Sequence, residues 1–118
     1  MIMSDFIIYH NPRCSKSRQT LEILNEQNVS TEIVLYLENP PSIKEVESIL
    51  QKLGLSPREV IRKGEEEYKV LNLKDQSLTE NELIKFMSEN PKLIERPIVV
   101  KDDKAIIGRP PENVLSII

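Results

Sequence analysis

The sequence predicts an α/β fold with a mixed four-stranded sheet. Three observations predict it. A strand–helix–strand run opens the chain, a helix-rich stretch with clear start and stop signals fills the middle, and a hairpin followed by an apolar segment closes it. The length of 118 residues is that of one domain, 1–118. Hydrophobic residues make up 39% and charged residues 30%, the balance of an ordinary globular chain.

The elements follow in order. "FIIY" (Phe6 to Tyr9) is short, apolar and aromatic, so it reads as a buried strand, and Asn11-Pro12 turns the chain. From about Ser15 to Gln27 the composition favours a helix with Leu21 and Leu24 on one face. "TEIVLYL" (Thr31 to Leu37) is rich in β-formers and reads as a second strand. Together they make a βαβ unit with a right-handed crossover.

Ser42 and Glu45 then fit a capping box, Ile43, Val46, Ile49, Leu50 and Leu53 repeat at helical spacing, and Gly54 supplies the stop. Ser56, Pro57 and Glu59 start a short helix that Gly64 is expected to end. Thr79 and Glu82 form a further box, followed by a buried side of Leu83, Ile84, Phe86 and Met87 until Asn90-Pro91. "PIVV" (Pro97 to Val100) and "AII" (Ala105 to Ile107) flank the turn "KDDK" as a hairpin, and Gly108 breaks it. "PPENVLSII" reads as a last helix with Val114, Leu115 and Ile118 facing inward. A thioredoxin-like fold matches this order best, ahead of another small α/β sandwich.

Composition narrows the function classes. No apolar run is long enough to span a bilayer, and the N-terminus lacks the basic-then-apolar pattern of a signal peptide, so no membrane partner is expected. One Cys cannot form an internal disulfide, which fits a cytoplasmic location. A net charge of −3 without a basic, aromatic-interleaved block argues against nucleic acid as a partner. One Cys and one His do not make a four-ligand zinc site, so no metal is expected. Glu65-Glu66-Glu67 reads as a solvated helix surface.

"HNPRCSKSR" (His10 to Arg18) holds both the only His and the only Cys. Cys14 falls where the first strand turns into the first helix. Open α/β sheets place sites at strand carboxyl ends. Helix N-termini favour anions. Arg13, Lys16 and Arg18 add positive charge, so Cys14 reads as a reactive, exposed thiolate nucleophile rather than an inert buried thiol. Ser17 stands where a C-x-x-C pair would have its second Cys, so any disulfide forms with another molecule, such as glutathione. The Ser17 hydroxyl is either a donor to the sulfur or an ordinary first-turn residue. His10 either supports the thiolate by its charge or bonds the backbone and shapes the turn.

"YHNPRCSKSR", "VIRK", "ERPIVV" and "IGRPPE" together resemble the arsenate reductases of the ArsC family, of the glutaredoxin/glutathione-coupled type, over Ile7 to Ile118. The stretch "HNPRCSKSR" looks more like a YfgD-like branch. The resemblance implies a thioredoxin-like fold with a helical insertion. It also implies Cys14 as nucleophile, His10 as the residue that helps keep it ionised, and Arg62, Arg96 and Arg109 as ligands of the oxyanion substrate. Arg suits that task because its planar fork of donors matches an oxyanion. Thioredoxin-like folds carry a cis proline before the third core strand, so a cis Arg96–Pro97 bond is expected.

The function so implied is reduction of arsenate to arsenite by a monomer, with no tightly bound cofactor, glutathione as reducing co-substrate and glutaredoxin as partner. Two alternatives remain. One is an Spx-like regulator binding RNA polymerase, a group whose C-x-x-C switch Ser17 removes here. The other is a monothiol oxidoreductase acting on glutathione mixed disulfides.

Overall fold

Strand β1 (Phe6–His10) buries every second residue, Phe6, Ile8 and His10, as the two-residue period of a strand requires. It pairs in parallel with β2 (Thr31–Leu35) and antiparallel with β3 (Ile98–Lys101), and β3 pairs antiparallel with β4 (Lys104–Ile107). The order β2-β1-β3-β4 is the predicted mixed four-stranded sheet of a thioredoxin-like α/β fold. The computed structural model describes residues 5–118; residues 1–4, part of the stretch read above for a signal peptide, lie outside the described residues.

The chain divides into two units, Met1–Asn39 with Arg96–Ile118, and Pro40–Glu95. In the first, α1 (Ser15–Glu26) buries Ser17, Thr20 and Leu24, residues three and four apart on one face. Leu24 joins Phe6, Ile8, Val99, Val114 and Ile117 in the core, with Leu21 partly buried against it. β2 stops at Leu35, two residues before the expected end. The N–H groups of Glu38 and Asn39 both donate to the Leu35 carbonyl and turn the chain there. The hairpin turns on Asp102, whose φ of 54° is one that Asp tolerates better than most residues.

The last segment corrects the sequence reading. Pro111–Ile117 is the expected helix, of the 3-10 type, but its buried side differs. Three residues per turn put Pro111, Val114 and Ile117 on the buried side, while Leu115 and Ile118 are 48% and 41% exposed.

In the second unit, α2 (Ile43–Leu53) begins with both bonds of the Ser42–Glu45 capping box and ends at Gly54, whose φ is 70°. Val46, Ile49 and Leu50 are buried, whereas Ile43 in the first turn is 43% exposed. α3 (Pro57–Val60) carries the Ser56–Glu59 box but ends well before Gly64. The reason is a β-bridge between Ile61 and Ile94. Arg62 N–H donates to the Leu93 carbonyl at 2.7 Å and Glu95 N–H to the Val60 carbonyl at 2.9 Å, which draws the chain straight. α4 (Glu66–Val70) has no buried residue. α5 (Glu80–Glu89) starts from the Thr79–Glu82 box and buries Leu83, Ile84 and Met87; Phe86 is only half-buried. Among the described residues no helix is long and apolar enough to cross a membrane.

Candidate active site

The loop between β1 and α1 is organised by its own backbone. Asn11 carbonyl oxygen accepts the Cys14 N–H at 3.0 Å, with Pro12 fixing φ at the second position of the turn, and Asn11 Oδ1 accepts the Arg13 N–H at 3.0 Å. Arg18 reaches back from α1, and its Nη1 donates to the Pro12 carbonyl at 2.9 Å. The turn is thus held at both ends.

Cys14 is the N-cap of α1, with extended backbone at φ −96° and ψ 122° and no side-chain capping bond. The first turn of α1 carries no acidic residue, so the partial positive charge of the helix N-terminus is not offset there. The thiol is unpaired in a disulfide and buried, at 9% exposure. This corrects the expectation of an exposed cysteine. Arg13 and Ser15 point to solvent, but the N-cap position turns the residue between them toward the protein. Chemistry of sequence neighbours is not chemistry of spatial neighbours.

His10 ends β1 on the same face as Phe6 and Ile8, the face that α1 covers, so strand period alone aims its ring at the helix. Its Nδ1 lies 2.6 Å from Ser17 Oγ, and Ser17 Oγ also accepts the Asn11 N–H at 3.0 Å. Ser17 is fully buried and His10 is 6% exposed. Burial, and after it the charge of Arg18, holds the His10 pKa below its ordinary 6.5. A neutral ring at neutral pH offers this hydrogen bond rather than charge. The ring bonds the Ser17 hydroxyl, not the backbone as one reading of His10 had it. The Ser17 hydroxyl is engaged with His10 and Asn11.

Sheet register gathers further residues at this end. β1 finishes at His10, β3 starts at Ile98 opposite Tyr9, and β4 finishes at Ile107 opposite Ile98. The segments holding Arg96 and Arg109 therefore leave the sheet at the edge where Cys14 sits. Gly108 N–H donates to the Pro97 carbonyl at 2.9 Å, and Arg109 Nη1 donates to the Arg96 carbonyl at 3.3 Å. The Arg96–Pro97 bond is cis, as expected; the Arg109–Pro110 bond is cis as well, which the sequence reading did not anticipate although "GRPP" carried the proline. A Cβ at Gly108 would lie 2.5 Å from Thr20 Oγ1 and 2.9 Å from Pro97 Cγ. This glycine lets the 108–109 strand exit press on α1. Thr20, also unflagged by sequence, is buried there and donates to the Lys16 carbonyl at 2.8 Å.

Arg62 belongs to the second unit. Its Nη1 lies 3.0 Å from Glu65 Oε2 and its Nε 3.6 Å from Glu95 Oε1, with the side chain 25% exposed. A cavity of about 300 Å³ opens in the first unit beside the loop. Arg13, Pro12, Leu35, Leu37 and Glu38 are among its walls.

The YfgD protein of Escherichia coli is 57% identical over 112 residues, 94% of this chain and 94% of its own. An arsenate reductase of Haemophilus influenzae is 51% identical over 113 residues, 95% of this chain and 97% of its own. The solved structure of an arsenate reductase from Vibrio cholerae matches with a TM-score of 0.95 at 48% identity, covering 99% of this chain and 100% of that one. The profile described as the ArsC family matches residues 9–117, and with relatives this similar along almost their whole length, the chain belongs to the ArsC family.

Proposed function

We propose that the protein reduces arsenate to arsenite with glutathione and glutaredoxin as the reducing system. The observation that carries the reading is the convergence on one sheet edge of the α1 N-terminus with Cys14, Arg96 and Arg109. Relatives that bear the name arsenate reductase support it.

The chemistry follows from the residues. Cys14 Sγ, as thiolate, attacks arsenic(V); an S–As bond forms and an arsenate oxygen leaves as water. Arg96 and Arg109 bind the oxyanion and spread its charge, and Arg62 is the third ligand that the family resemblance implies. With a single Cys in the chain, the electrons come from thiols of other molecules. A glutathione thiolate attacks the Cys14 sulfur, an S–S bond forms, and the S–As electron pair remains on arsenic, now arsenic(III), which leaves as arsenite. A second thiol, of glutathione or glutaredoxin, then reduces the Cys14–glutathione disulfide. His10 and Ser17 act as positioning residues that hold the turn carrying Cys14.

The test is arsenate-dependent NADPH consumption with glutathione, glutaredoxin and glutathione reductase. Wild type should turn over and Cys14→Ser should be silent while keeping its far-UV spectrum. Arg109→Ala should raise KM for arsenate by about tenfold, the scale of a lost charge-assisted hydrogen bond. No arsenate-dependent signal from wild type, with an active reductase in the same assay as control, rejects the reading.

A further inference from the structure

The thiol co-substrate must reach a sulfur that is only 9% exposed, so random collision is a poor way to deliver it. A cavity lies beside the loop that carries Cys14; His10 and Asn11 also line it, and the sulfur itself is not among its walls. Its walls combine an apolar surface from Pro12, Leu35 and Leu37 with one cation, Arg13, and one anion, Glu38. Both charged residues are exposed. Among the described residues neither side chain takes part in an ion pair or a hydrogen bond. Leu37, 38% exposed, leaves apolar surface open between them. Arg13 is the residue immediately before the nucleophile.

A cation and an anion on the walls of one small cavity select for a zwitterion. A neutral thiol gains nothing from either, and a simple anion is attracted by Arg13 but repelled by Glu38. An α-amino-acid group carries both charges a few bonds apart. Resting on the proposed function above, we infer that this cavity is the recognition subsite for the zwitterionic amino-acid end of a low-molecular-weight thiol. Arg13 takes the α-carboxylate in its planar fork, Glu38 takes the α-ammonium, and Leu35 and Leu37 pack the aliphatic linker. The γ-glutamyl end of glutathione has this chemistry.

The experiment reads the subsite without arsenate. Reduced protein is mixed with glutathione disulfide or, separately, with the neutral hydroxyethyl disulfide. The Cys14 thiolate attacks one sulfur, forms a mixed disulfide and releases the other half as thiolate, and mass spectrometry follows the adduct. The readout is the ratio of the two rate constants, which cancels any change in the sulfur's own reactivity. Wild type should favour glutathione disulfide, and both Arg13→Gln and Glu38→Gln should cut the ratio by about three- to tenfold, the scale of one charge-assisted contact at a solvent-facing wall.

Glu38→Gln decides the matter. Glutathione disulfide is a net anion, so long-range charge alone predicts that removing Glu38 speeds its reaction. The subsite predicts slowing. A ratio that rises or stays unchanged in Glu38→Gln overturns the inference. A ratio that falls in a protein without arsenate turnover leaves the subsite standing and rejects arsenate as substrate. Arsenate turnover with an unchanged ratio rejects the subsite alone.

Discussion

Ser17 Oγ accepts the Asn11 N–H and faces His10 Nδ1; Ser17 and His10 are buried and the Asn11 bond is partly so. Ser17→Ala should therefore leave a backbone donor and a ring nitrogen unsatisfied, at a cost of about 1–3 kcal/mol, read by urea unfolding. A cost near zero would mean that the pair does not hold the turn. This contact was not legible in the sequence. His10 and Ser17 are seven positions apart on different elements, and only the strand's two-residue period, once its buried face is known, brings them together. The lone Cys was legible because nothing else in the chain offers a soft nucleophile. Its burial was not, because an N-cap can turn inward between two polar neighbours.

At the scale of elements, the capping boxes were readable because their physics is local. Ser42 and Glu45 satisfy each other's backbone N–H groups across one turn, and no distant residue is needed. Ser42→Ala should cost about 1 kcal/mol in thermal or urea unfolding. The exit of β4 is the opposite case. Gly108 looked like a simple strand breaker, yet what it provides is room beside Thr20 and Pro97. Gly108→Ala should cost about 1–3 kcal/mol through overpacking, because a β-branched side chain and a proline ring have little freedom to retreat. A variant as stable as wild type would show that the 108–109 segment shifts freely. The end of α3 was misread for the same reason: Ile61 is claimed by Ile94, a partner far along the chain.

For the whole molecule, pH links the site to stability. The folded state holds His10 below its ordinary pKa of 6.5, so as pH falls through that value the unfolded chain takes up a proton that the folded one resists. Stability should be full above about pH 6.5 and decline as pH drops toward the lower folded value. In His10→Gln this decline should be missing from the plot of melting temperature against pH. If wild type and variant trace parallel curves, the ring is not held neutral by folding. Asp75 adds a separate acid limb. Hydrogen bonds from Ser77 lower its pKa from 3.8, so its contribution is present above that value and fades as pH falls through the folded one. The strands and the mixed character of the sheet were largely legible from hydrophobic runs, whereas the order β2-β1-β3-β4 was not, nor was the approach of Arg109 to the Arg96 carbonyl, since spacing carries no record of which strand ends meet.

The bond from Thr20 to the Gly108 carbonyl joins residues 88 positions apart. A ribosome that has made three quarters of this polypeptide has already made Cys14 and Thr20 but not yet Arg96, Gly108 or Arg109, so the half-built product carries the thiol and α1 without the segment that Thr20 binds. Premature termination anywhere before Gly108 should thus yield molecules that lack this tie between α1 and the end of β4.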